Sequence, residues 1–231
     1  MINVWRRIRT IATGEGGPAD SVSRQMARPD RNPRRLVSFS DAVFAIAVTL
    51  LVLGINPPTD FSHLPPALGR LWPSYLGYAM SFLLIAQVWV NHHIMFDHIH
   101  SVDGRILFFN TLLLMDIAFL PFATSLLAGA LHAGSGLRTA VVFYGVILWT
   151  AALLFNIIWA HARHNQLLDQ ALQPSGARAI THRFGFALIW IASGIILGVF
   201  LPVAGVVVIA AFIPAYYFPI RGEYGARSQQ I

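Results

Sequence analysis

The chain has 231 residues, 56% of them hydrophobic and 11% charged, with a mean hydropathy of +0.61. A soluble domain carries about 25% charged residues, so this composition calls for lipid around the chain. The formal charge is +6 and all 16 basic side chains are arginine; with neither lysine nor cysteine, the chain has no disulfide, thiolate-ligated metal, iron–sulfur cluster, thiol nucleophile, Schiff base or P-loop lysine.

Residues 1–35 are polar and carry Arg6, Arg7, Arg9, Arg24, Arg28, Arg31, Arg34 and Arg35. A secretory signal places its apolar run earlier and ends it at a small-residue cleavage site. Here the first apolar run begins at Leu36 and ends in Asn56-Pro57-Pro58. The segment therefore reads as a basic arm before a retained span. Such an arm sets orientation and meets anionic lipid, at about 1 kcal/mol per arginine; nucleic acid is not expected as its partner.

A helix crosses the hydrocarbon core with about 20 residues. The first span is expected over Ser38–Ile55, the second over Trp72–His98, the third over Ile106–Leu131 and the fourth over Leu137–His161. Phe184–Phe218 is nearly all apolar, too long for one span and enough for two short ones broken near Pro202. The long unbroken runs predict helices rather than strands, with kinks expected at Pro121 and Pro214. Six spans put both termini on one side. With the termini inside, fourteen of the sixteen arginines are internal, and only Arg70 and Arg138 fall in outer loops. The positive-inside rule then predicts cytoplasmic termini in the cell membrane. The reading divides the chain into a 1–35 arm, a 36–219 six-helix membrane domain and a 220–231 tail. Residues 163–183 form the longest expected inner connection. No second copy of the span pattern is visible, whereas many transporters carry two related halves. A single set of helices instead favours a pathway between subunits around a symmetry axis.

A charge near the bilayer centre costs at least about 2.5–3.5 kcal/mol, so each one needs a partner or a purpose. Asp41 lies early in the first span and Asp116 near the middle of the third. At about 1.5 Å rise per residue, Asp41 is level with His92, His93 and His161, and Asp116 with Gln87, Asn156 and Ser193. An Asp41–His92 contact is expected on that ground. Two readings of Asp41 stay open: a polar network, or a capping box in Ser38-Phe39-Ser40-Asp41. Asp116 reads as a neutral carboxyl between helices or as an ion site. Adjacent histidines point to different faces, so His92 and His93 are not expected to share a metal. On the first span, Ile46, Leu50 and Leu53 share one face, while Ala42, Ala45 and Thr49 form a smaller one that admits a close neighbour.

The stretch Arg35-Leu36-Val37-Ser38-Phe39-Ser40-Asp41 resembles the R-x-x-x-F-S-D signature of the transmembrane protein 175 family of potassium channels, as found in bacteria. Trp89-Val90-Asn91-His92 is similar to the family's W-x-x-H on span two, and Phe119-Leu120-Pro121-Phe122 to its F-L-P-F element on span three. The resemblance implies an all-α integral membrane homotetramer whose first helices line a central pore, with potassium as the permeant ion and no cofactor. It implies a constriction and gate at Ile46, Leu50 and Leu53, ion preference at Ile46 and Thr49, and a structural network of Arg35, Phe39, Ser40, Asp41, Trp89 and His92. Apolar rings in series gate by dewetting, and a pore without a carbonyl or charge filter is expected to be modestly selective. The main alternative is a proton- or cation-coupled transporter using Asp41, Asp116 and His92. A membrane enzyme has only the histidine-rich end of span two in its favour, and a structural membrane protein predicts neither flux nor catalysis.

Overall fold

The computed structural model describes residues 33–59 and 61–217, so residues 1–32 of the expected 1–35 arm and the whole expected 220–231 tail lie outside the described residues.

 α1 spans Pro33–Leu50 and continues as a 3-10 segment, Leu51–Gly54. α2 is Leu64–Arg70, α3 Trp72–Asp97, α4 Gly104–Ala133, α5 Leu137–His164, α6 Pro174–Phe200 and α7 Pro202–Tyr217. Five of these segments are long and apolar enough to cross a membrane: α1 with its 3-10 end, α3, α4, α5 and α6. α7 is apolar but has 16 residues, about 24 Å of helix against a hydrocarbon core of about 30 Å.

Local chemistry sets the helix ends. Asp103 caps α4, its Oδ1 accepting from the Ile106 N–H at 2.9 Å. Proline stands in the first turn of α2, α3 and α6, where its missing N–H costs nothing. Between α4 and α5 the chain reverses through Gly134 and Gly136, at φ 64° and 71°, a left-handed conformation open to glycine.

Three boundaries differ from the sequence reading. α1 begins at Pro33, five residues before the expected start. Asp41 therefore lies well inside the helix and is not its cap, which removes the capping-box reading. α6 begins at Pro174, so Arg178, His182 and Arg183 stand on a helix rather than in a loop. The connection between α5 and α6 shortens to residues 165–173, pinned to the α3–α4 loop. His100 N–H donates to Leu167 O at 3.0 Å and Asp169 N–H to His98 O at 2.9 Å.

The helices pack in sequence order from α3 to α7, and α1 lies on α3 and α4. The core is built from side chains such as Ile85, Leu113, Ile117, Leu120, Tyr144, Ile158 and Trp159. In lipid, helices associate through packing and interhelical hydrogen bonds rather than through hydrophobic transfer. A buried hydroxyl group of three does this between α3, α4 and α5: Thr124 donates to Ser81 at 2.7 Å, and Ser81 bonds Tyr144 at 2.9 Å. α6 and α7 approach through Gly194, Gly198 and Gly205. A Cβ on Gly205 would stand 2.5 Å from the Gly198 Cα.

Candidate functional site: the first helix and its anchor

α1 has two unlike faces. Ser40, Phe44, Ala47 and Leu51 are buried against the bundle, at a spacing that keeps them on one side of a helix. On the other side Phe39, Ile46, Leu50 and Leu53 are exposed, Ile46 at 58% and Leu53 at 72%. Thr49 is also exposed, and its hydroxyl donates back to Ile46 O at 2.8 Å. Val48, by contrast, packs against the core.

Two separate polar contacts hold the N-terminal half of α1. Asp41 Oδ1 accepts from the Trp89 indole N–H at 3.0 Å and lies 3.6 Å from His93 Nε2. Trp89 and His93, one turn apart on α3, have ring centroids 4.5 Å apart. The histidine beside Asp41 is thus His93 rather than the expected His92. Neighbouring residues on a helix point about 100° apart, and depth along the axis does not choose between them.

His92 belongs to the second contact, which is fully buried. Its Nε2 bonds Asn110 Oδ1 at 3.0 Å, Asn110 Nδ2 donates to Ser40 Oγ at 3.0 Å, and Ser40 donates to Leu36 O at 2.9 Å. With the Asn110 oxygen accepting, His92 carries its proton on Nε2. The bonds then run in one direction from α3 through α4 to α1. Phe44 and Phe96 enclose the ring, at centroid distances of 5.4 and 4.5 Å. Sequence reasoning missed Asn110; an amide in the first third of a span, level with Ser40 and His92, was the available signal.

Arg35 is exposed and makes no hydrogen bond or ion pair within the described residues. Phe39 is likewise turned outward. Asp116 is half-buried, and its Oδ2 has no partner among the described residues. The three groups expected level with it are directed elsewhere: Asn156 donates to Ala152 O and Phe184 O, Ser193 donates to Trp190 O, and the Gln87 amide is unbonded.

A further contact ties the α3–α4 loop to the end of α5. His161 Nε2 and Asp103 Oδ2 are 2.7 Å apart. Partial burial pushes the Asp103 carboxyl up, but the hydrogen bond and charge of His161 and bonds from the Ile106 and Arg105 backbone outweigh it and hold the group below the usual carboxylate value.

This architecture defines a multi-pass helical membrane protein with an apolar, outward-facing first helix and a polar anchor behind it. A family model described as endosomal/lysosomal potassium channel TMEM175 matches residues 35–121. A potassium channel of Streptomyces collinus is 40% identical over 153 residues, which span 65% of this chain and 74% of that one. A potassium channel of Chamaesiphon minutus is 39% identical over 197 residues, spanning 82% and 94%. The crystal structure of a lysosomal potassium-selective channel TMEM175 homolog from Chamaesiphon minutus superposes with a TM-score of 0.72 at 34% identity, covering 79% of this chain and 94% of that chain. The chain belongs to the TMEM175 family.

Proposed function

We propose that four copies of this chain form a modestly selective potassium channel in the cell membrane, with α1 of each copy lining a central pore. The observation that carries this reading is the unpartnered face of α1. Ile46, Leu50 and Leu53 stay exposed on a helix whose opposite side is buried in the bundle. Relatives named potassium channels over most of their length support the choice of ion.

In this assembly Ile46, Leu50 and Leu53 form successive apolar rings that exclude water when tight. Thr49, close behind Ile46, tunes ion preference. Phe39 and Arg35 stand at the inner mouth, while Ser40, Asp41, Trp89 and His92 hold the helix that the rings are built on. The membrane domain covers 36–219, and the 1–35 arm and 220–231 tail lie in the cytoplasm, as the arginine distribution favours. The reaction is passage of potassium, without a cofactor.

The coupled-transporter reading needs Asp41, His92 and Asp116 to share a path. No hydrogen bond links any two of them: Asp41 bonds Trp89, His92 bonds Asn110, and Asp116 Oδ2 has no partner among the described residues. The deciding experiment is potassium flux into liposomes holding purified protein, paired with native mass. Flux far above about a thousand ions per second, beyond the reach of alternating access on a millisecond timescale, together with a tetramer mass, is the expected result. A conducting monomer refutes the central pore.

A further inference from the structure

Behind α3, on a side of it separate from α1's anchor, lies a cavity between α3, α5, α6 and α7, with about 40 Å³ available to water centres. Its walls are apolar, from residues such as Leu148, Phe155, Phe184 and Phe212. Its polar groups are the side-chain amides of Gln87 and Asn91, one turn apart on α3. Gln87 is 2% exposed, and its Oε1 and Nε2 are both buried with no partner among the described residues; Asn91 Oδ1 is in the same condition.

The contrast with Asn156 is informative. That amide also sits within a span, yet its Nδ2 donates to Ala152 O at 2.8 Å and to Phe184 O at 3.0 Å. Gln87 bonds no carbonyl in this way, and the cavity it lines supplies no protein donor or acceptor to it. An amide in an apolar interior without partners is costly, so the chemistry of the cavity asks for a small neutral molecule that both donates and accepts.

We infer that the cavity is a binding site for a cluster of about three water molecules, given that one water needs roughly 10–15 Å³ of such space. The waters donate to Gln87 Oε1 and Asn91 Oδ1 and accept from Gln87 Nε2, and they complete their remaining bonds among themselves. Size does not decide this, since purely apolar cavities several times larger stay dry. The three orphaned amide atoms decide it. The cluster gives α3 two different sides. Towards α4 and α5 it is tied by the direct Ser81–Thr124 and Ser81–Tyr144 bonds. Towards α6 and α7, at the level of Gln87 and Asn91, it meets water, whose bonds can re-form when the helices shift.

The test is radiolytic hydroxyl-radical labelling of the protein in liposomes, with rapid mixing into ¹⁸O water. Bound water beside an aromatic ring promotes its oxidation and exchanges slowly with bulk. Phe155, Phe184 and Phe212 should be oxidised at least about fivefold faster than Phe44, a ring equally buried but away from the cavity, and should take up ¹⁸O more slowly than surface residues. The Gln87→Leu/Asn91→Leu protein should lose that excess. Labelling of the cavity rings no faster than Phe44, or ¹⁸O uptake as fast as at the surface, overturns the inference. If the double variant does not fold, a high-resolution density map of the parent decides: discrete peaks within hydrogen-bond distance of Gln87 support the cluster, and a continuous acyl-chain density or an unfilled cavity refutes it.

Discussion

The buried chain His92–Asn110–Ser40 makes a quantitative prediction. Asn110→Leu keeps the branched outline of the side chain but removes both bonds of the amide. Ser40 retains Leu36 O as its acceptor, so the larger loss falls on His92. Its Nε2 is stranded, and its Nδ1 already has no partner. One lost bond plus one stranded buried group costs about 2–4 kcal/mol on soluble-protein scales. In a bilayer the unfolded reference also finds partners, and measured interhelical couplings average about 0.6 with a maximum near 1.7 kcal/mol. We therefore expect about 2 kcal/mol for Asn110→Leu and a similar loss for His92→Leu, which strands the Asn110 oxygen. The double variant presents two apolar groups to each other and strands neither partner. It should cost about 2.5 kcal/mol, a coupling of about 1.5 kcal/mol. Reversible unfolding in mixed micelles, followed by circular dichroism, measures all four corners of the cycle. Additive single costs, with a coupling below about 0.5 kcal/mol, would refute the claim that this chain ties α1 to α3 and α4.

Ile46→Asn should raise resting flux and shrink the preference for potassium over sodium, because an amide holds water in an otherwise apolar ring. Leu50→Asn should raise flux with less effect on preference. Paired potassium and sodium flux in liposomes checks both, with Ile189→Asn on the exposed face of α6 as the control; unchanged rates and ratio at Ile46 would mean that another face lines the pore. Asp103 titrates lower in the folded state than in the unfolded one. Its contribution to stability is therefore present above the unfolded value of about 3.9 and disappears as pH falls through the lower folded value. Asp103→Asn retains a capping side chain but loses the charge, so its melting temperature should be lower near neutrality and flatter with acid than the parent's. Equal slopes would show that His161 does not hold the carboxylate. Gly205→Ala should destabilise the α6–α7 pair by about 1–3 kcal/mol, since the new methyl meets the Gly198 backbone, and a melting temperature within error of the parent's would refute that close approach.

The spans were largely legible because long apolar runs have few alternatives in lipid. The second expected span, Trp72–His98, differs from α3 by one residue, and the fourth shares its start with α5 at Leu137. Hydropathy failed where helices run past the apolar run. Arg34 and Arg35 hid the first turn of α1, and Arg178, His182 and Arg183 hid the first turns of α6. α2, with seven residues, is too short for an apolar window. At the site, Asp41 and the α3 histidines were legible as a level. Their pairing was not, because the rotational phase of α3 against α1 is set by packing. Asn110 was hidden for a related reason: its role comes from two other helices, and only the fold brings Ser40 and His92 to either side of it.

The change of helix type at the C-terminal end of α1 has a geometric consequence. Leu51–Gly54 is wound as a 3-10 helix, and Gly54 packs against the Ser125 hydroxyl of α4. A 3-10 helix advances about 2.0 Å and 120° per residue, against about 1.5 Å and 100° in an α-helix. Rewinding the three steps from Leu50 to Leu53 as α-helix would swing Leu53 by about 60° around the axis and draw it back by about 1.5 Å. Ile46, wound as α-helix on either account, would not turn. In the proposed ring of four, the outermost leucine collar can therefore twist like an iris while the isoleucine collar below it keeps its bore.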